Sequence, residues 1–178
     1  SSYWADVFDG VKGASRVCKY DRANLGRSDK VPGPRTFHDT TRDLQVLLEK
    51  AHIGWPYILV GHSLGGMLVR IFAHQHPGEV AGIVLVDSGH PDMGSRLLDC
   101  LPPESADESE TTRYFRQYFT WMVDSSPESP FTDSEALNGL VGNQQGRDVE
   151  TLGELPLVVI SQAPNIPGLV RGHVEGDA

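Results

Sequence analysis

Between residues 61 and 66 the chain reads Gly61-His62-Ser63-Leu64-Gly65-Gly66, a serine with a glycine two positions to either side. The apolar run Tyr57-Ile58-Leu59-Val60 precedes it, and Leu64, Met67, Leu68, Ile71 and Phe72 follow at helical spacing, ended by Pro77-Gly78. Strand, tight turn and helix together are the context in which a G-x-S-x-G elbow presents a serine hydroxyl for attack on a carbonyl carbon. Such a turn is expected to force Ser63 into a strained backbone conformation, with side chains at positions 61 and 65 colliding with it. The hydroxyl then stands at a helix N-terminus. There the helix dipole and the backbone N–H of Leu64 face the place where a tetrahedral oxyanion forms, which makes Leu64 an oxyanion donor whatever its side chain. A serine used in this way needs a base to take its proton and a carboxylate to hold that base.

The elements that must position these groups alternate. Trp4, Val7, Phe8 and Val11 fall at helical spacing before Gly13, and Val17-Cys18-Lys19-Tyr20 reads as a short strand. Thr36 and Asp39 form a capping-box pattern ahead of Phe37, Thr41, Leu44, Leu48 and Ala51, with Gly54 as the expected stop. Residues 83–86 and 155–160 give two further apolar strands. Uniformly apolar strands between amphipathic helices predict an α/β fold, a mostly parallel sheet with helices on both faces. Residues 91–150 break the rhythm with prolines, serines and acids. Within them Tyr114, Phe115, Tyr118, Phe119 and Met122 stripe one face of a helix, either as ordinary packing or as a roof over an apolar pocket. The expected organisation is a core over 1–90, an acidic cap insert over 91–150, and a return to the sheet over 151–178, whose end is Gly- and Pro-rich without periodicity.

The composition narrows the classes of function. The 178 residues carry a net charge of −9, and residues 91–150 hold 12 Asp and Glu against 4 Lys and Arg, so most of that charge sits in the insert. An acidic surface repels phosphate backbones, which makes nucleic acid a poor partner. No run approaches the length needed to span a bilayer. The first residues, Ser1-Ser2-Tyr3-Trp4-Ala5-Asp6, carry no signal-peptide pattern. The two cysteines, Cys18 and Cys100, lie in neither a CxxC nor a histidine cluster and suggest no disulfide framework or zinc site.

These motifs resemble the α/β-hydrolase fold family, in its serine esterase and lipase branch. Tyr20-Asp21-Arg22-Ala23-Asn24-Leu25-Gly26-Arg27-Ser28-Asp29 looks like the loop after that family's strand four. Val60-Gly61-His62-Ser63-Leu64-Gly65-Gly66 looks like the elbow after strand five, and Gly82-Ile83-Val84-Leu85-Val86-Asp87 like strand six. The resemblance covers nearly all of the chain outside residues 91–150, which it identifies with the family's cap. It implies a catalytic acid after strand seven or strand six. The first position falls near Asn165, an amide that cannot ionise, so Asp87 at the carboxyl end of strand six is the better candidate, at the sheet edge where open α/β folds bind ligands. The alternative for Asp87 is a solvated or helix-capping aspartate.

The family histidine follows a strand eight that is not visible here. His173 is the sole histidine downstream of the last strand, in a stretch with no element to position it. His62 should project away from Ser63, while His38, His52, His74 and His76 belong to helices or their ends and His90 opens the insert. An upstream His-Gly oxyanion loop and the strand between strands four and five are also missing from the pattern. The chain is therefore expected to be an interior piece of a longer protein, with the base supplied from outside it. The implied activity is hydrolysis of a small-molecule carboxylic ester or related acyl bond through an acyl-enzyme, with Ser63 and Asp87 catalytic and no metal or organic cofactor. The rival readings are a non-catalytic binding protein on the same fold, or a piece of the enzyme that is inactive by itself.

Overall fold

The computed structural model describes residues 4–124 and 135–161. Helix α1 (Ala5–Val11) comes first and buries none of its residues. Helix α2 (Phe37–Lys50) begins at the predicted capping box: the Thr36 hydroxyl accepts from the Asp39 amide at 3.1 Å, and the Asp39 carboxylate accepts from the Thr36 amide at 2.8 Å. Two donors that a helix start leaves without partners are thereby satisfied. The other end differs from expectation. Gly54 is not the stop, because His52 already takes the left-handed conformation (φ 51°) and the Ile53 amide turns back to the Leu48 carbonyl at 2.9 Å. This closes the helix as a C-terminal glycine would.

The centre of the molecule is β1 (Tyr57–Ser63), α3 (Leu64–Gln75), β2 (Val80–Ser88) and β3 (Leu157–Ile160), with the strands parallel in the order β1-β2-β3. Leu59 pairs with Ile83, and Ile83 in turn with Leu157. The third strand starts at Leu157 rather than Leu155, since Pro156 has no N–H for a ladder; its carbonyl nevertheless accepts from the Ile83 amide at 2.9 Å. Phe72, Val69 and Ala73 of α3 pack on Val80, Ile83 and Leu85 of β2, joined by Leu44 and Leu48 from α2. Phe37, Met67, Leu68, Ile71 and Val149 form a second cluster beside it.

Helix α3, backed by α2, therefore covers one face of β1 and β2, while β3 is exposed along its whole length. On the other face, Ile58, Val60, Val158 and Ile160 are exposed, and the Trp4 ring reaches that face edge-on against His62 at 6.4 Å.

Residues 17–20 do not form a strand. A strand exists only through its ladder, and no described segment lies beside this one to exchange hydrogen bonds with it. Instead Lys19 stands over the Phe8 ring, 4.9 Å from its centre.

The acidic stretch contains α4 (Met93–Asp99), α5 (Glu110–Asp124) and α6 (Gly139–Arg147). At Gly94 α4 meets α5 so closely that a Cβ would stand 2.9 Å from Met122 Cβ. The aromatic stripe on α5 stacks along its own helix, Phe115 on Phe119 at 5.6 Å and Tyr118 on Trp121 at 5.8 Å, and none of its residues is fully buried. By contrast α6 packs on α2 and α3, with Gly142 flat against the Phe37 ring. No described helix is long and apolar enough to cross a membrane.

Candidate active site

Ser63 ends β1 and begins α3 with φ 51° and ψ −124°, a backbone region that side chains rarely occupy. Its residue is exposed, as a hydroxyl at the tip of a strand-to-helix turn must be to meet a substrate. The turn's steric demands are only partly those expected. A Cβ at Gly61 would overlap the Gly65 carbonyl and lie 2.7 Å from the Gly66 amide nitrogen. At Gly65, however, a Cβ would meet nothing nearer than Arg22 Nη1 at 4.0 Å. The second obligatory glycine is Gly66, where a Cβ would overlap the Ser88 hydroxyl and stand 2.5 Å from Ser88 Cβ. The crowding that selects glycine there comes from β2, across the sheet, and not from the turn itself.

Leu64 is the first residue of α3 and is partly buried against the second apolar cluster, so its side chain anchors the helix start. Its amide belongs to the first turn, whose N–H groups have no acceptor within the helix.

Asp87 lies at the neighbouring strand end. The parallel register runs His62 to Val86 and then Ser63 to Ser88, so Asp87 is an extra residue on β2, bulged out of the ladder with φ 44° and exposed. A bulge re-aims a side chain at a sheet rim. Beyond it the Gly89 amide donates to the Ser63 carbonyl at 2.9 Å. Ser63 and Asp87, both of positive φ, thus stand on adjacent strands at the carboxyl edge of the sheet.

The loop after residue 19 lies beside the elbow. Asn24, buried and left-handed (φ 70°), accepts from the Val31 amide at 2.8 Å and donates to the Glu135 carbonyl at 3.2 Å. Gly26 (φ 52°) is pressed against the Asp21 carboxylate, which the Arg27 amide holds below the usual carboxylate range. Arg22 is paired with both oxygens of Glu135 at 2.6 Å. Nothing local announces this partner, since it lies 113 residues further along the chain.

The histidines are dispersed. His62 turns to Trp4, His76 packs on the Phe72 ring at 4.5 Å, and His90 accepts from the Asp92 amide at 3.1 Å. Among the described residues no histidine hydrogen-bonds to Ser63. Asn165 and His173 lie outside the described residues.

The family model described as "alpha/beta hydrolase fold" matches residues 1–137. Among curated proteins, YqjL of Bacillus subtilis, itself uncharacterized, is 27% identical over 161 residues, which is 90% of this chain and 56% of YqjL. A candidate carbamate hydrolase, RutD of Yersinia enterocolitica, is 36% identical over 99 residues, 55% of this chain and 35% of that protein. The chain spans 16% and 13% of the length of two fungal relatives. Among solved structures, the monoacylglycerol lipase of Paleococcus ferrophilus superposes with a TM-score of 0.54 at 16% identity, over 90% of this chain and 68% of that one, a likeness of fold.

Proposed function

The chain belongs to the α/β-hydrolase fold family, and on that footing we propose that it is the nucleophile-bearing part of a serine hydrolase that cleaves a carboxylic ester or related acyl bond. The observation that carries this reading is the conformation of Ser63: an exposed hydroxyl on a left-handed residue between a parallel strand and a helix, with glycine required at positions 61 and 66. In the proposed reaction Ser63 Oγ attacks the substrate carbonyl carbon while a histidine takes its proton. The Leu64 amide stabilises the developing oxyanion, and the histidine returns the proton to the leaving alcohol. Water then releases the acid by the same steps in reverse order.

Asp87 is the proposed partner of that histidine. Its place on a bulge at the same sheet edge as the serine supports the role, because a histidine that serves Ser63 must be within reach of the carboxylate that orients it. The base is proposed to lie outside the described residues. The substrate is proposed to be a small-molecule ester or acyl compound, and α4 with α5 is proposed as a cap whose aromatic stripe faces apolar substrate groups. The family relationship supports hydrolysis in general, and the serine mechanism is the part added here.

A fluorophosphonate probe tests it. The full-length protein should be labelled at Ser63 and the Ser63→Ala variant should not. A folded full-length protein that stays unlabelled would favour a binding protein on this fold instead.

A further inference from the structure

Arg22 has no part in the chemistry proposed above, yet it is built into the surroundings of the elbow. Its Nε and Nη2 donate to the two oxygens of Glu135 at 2.6 Å each, and the side chains are 25% and 10% exposed. The remaining nitrogen, Nη1, is the atom that a Cβ on Gly65 would meet first, at 4.0 Å. The guanidinium therefore lies between Glu135 and the first turn of α3.

Glu135 is held as firmly on its other side. Its carbonyl accepts from Asn24 Nδ2 at 3.2 Å, the Arg35 amide donates to the Ala136 carbonyl at 2.8 Å, and the Asn138 amide donates to the Arg35 carbonyl at 2.7 Å. Gly33 lies so close to Ala136 that a Cβ would stand 2.8 Å from its carbonyl oxygen. Residues 135–138 are clamped along residues 24–35, and Arg22 carries the position of that clamp to the helix start.

We infer that Arg22 is a positioning residue for the elbow: fixed by Glu135, it sets the first turn of α3 and with it the direction of the Leu64 N–H relative to the Ser63 hydroxyl. This rests on the reading of Ser63 as nucleophile. The two-point contact with a carboxylate and the flat guanidinium surface are features that lysine cannot reproduce, because an ammonium is a single point charge on a flexible stem.

The test measures two quantities on the full-length protein, the second-order rate of Ser63 labelling by a small fluorophosphonate and the thermal unfolding midpoint. The variants are Arg22→Lys, Arg22→Met and the double Arg22→Met/Glu135→Leu. Replacing both members of a buried ion pair by apolar groups commonly leaves stability intact, and this partly buried pair should lose no more. The double variant is therefore expected to melt near the unsubstituted protein while labelling about tenfold more slowly, since small misplacements of reacting groups cost rate steeply. Arg22→Lys, which keeps charge and approximate length, is expected to label about tenfold more slowly too, and carries the test should the apolar pair not fold. Labelling at the unsubstituted rate in Arg22→Lys, or recovery of rate together with midpoint in the double variant, would make the pair merely structural and overturn the inference while leaving Ser63 as nucleophile. An unsubstituted protein that is folded but unlabelled would overturn both.

Discussion

The Gly89 amide donates to the Ser63 carbonyl oxygen at 2.9 Å, so β2 is tied to the backbone of the proposed nucleophile just past the bulge that carries Asp87. The relative placement of the two candidate catalytic residues is a property of main-chain hydrogen bonding, and side-chain substitutions should leave it standing. Asp87→Asn is therefore expected to keep the unfolding midpoint within a few degrees while lowering esterase turnover by a factor of about 10³ or more, because the amide cannot hold the base in its productive form. Kinetics with a chromogenic ester and a thermal melt read both. Unchanged turnover would remove Asp87 from the mechanism.

The three glycines of the elbow should behave differently when each is replaced by alanine. Gly61→Ala and Gly66→Ala press a methyl into backbone and into Ser88 respectively, and each should cost about 3 kcal/mol by urea denaturation. Gly65→Ala brings a methyl no nearer than 4.0 Å to Arg22 Nη1, without a clash, and should be neutral or stabilising by about 0.5 kcal/mol. Equal losses at all three would contradict the geometry.

The capping box at α2 gives a pH-dependent term. The Asp39 carboxylate is held below its ordinary range by donors from Thr36, first its amide and then its hydroxyl. A carboxylate whose folded value is depressed contributes stability above its unfolded pKa of about 4, and the contribution is lost as pH falls through the folded value. Asp39→Ala should cost about 1 kcal/mol near neutrality, with the gap to the unsubstituted protein closing below about pH 4. A gap that is constant from pH 7 to pH 3 would show that the ionised carboxylate contributes nothing.

At Gly142 a Cβ would enter the Phe37 ring. Gly142→Ala should separate α6 from α2 and destabilise by about 2 kcal/mol, whereas Gly10→Ala, where a Cβ meets nothing, should not destabilise at all. Parallel denaturation curves distinguish a packing effect from a general glycine effect.

The elbow and the capping box were legible in the sequence because their rules are local: a few residues satisfy one another within a single turn. The strand expected at 17–20 failed for the opposite reason, since apolar composition describes a preference and only a neighbouring strand makes a ladder of it. The assignment of crowding to Gly65 rather than Gly66 failed because Ser88, which decides it, reaches the elbow across the sheet. The strand-end position of Asp87 could be read from the sequence, but its bulge could not, as it depends on how β1 and β2 fall into register. Arg22 and Glu135 carry no mutual signal at all, because charge pairs at such separation follow from topology alone.

The unusual torsion angles at position 63 set two demands against each other. Glycine would relax the turn and raise the melting point, by an amount corresponding to about 1–3 kcal/mol. It would also delete the hydroxyl. On the proposed mechanism the most comfortable residue for the backbone is thus the one that leaves it chemically mute, so a search for hardier variants by thermal stability alone would be drawn to the substitution that ends reactivity.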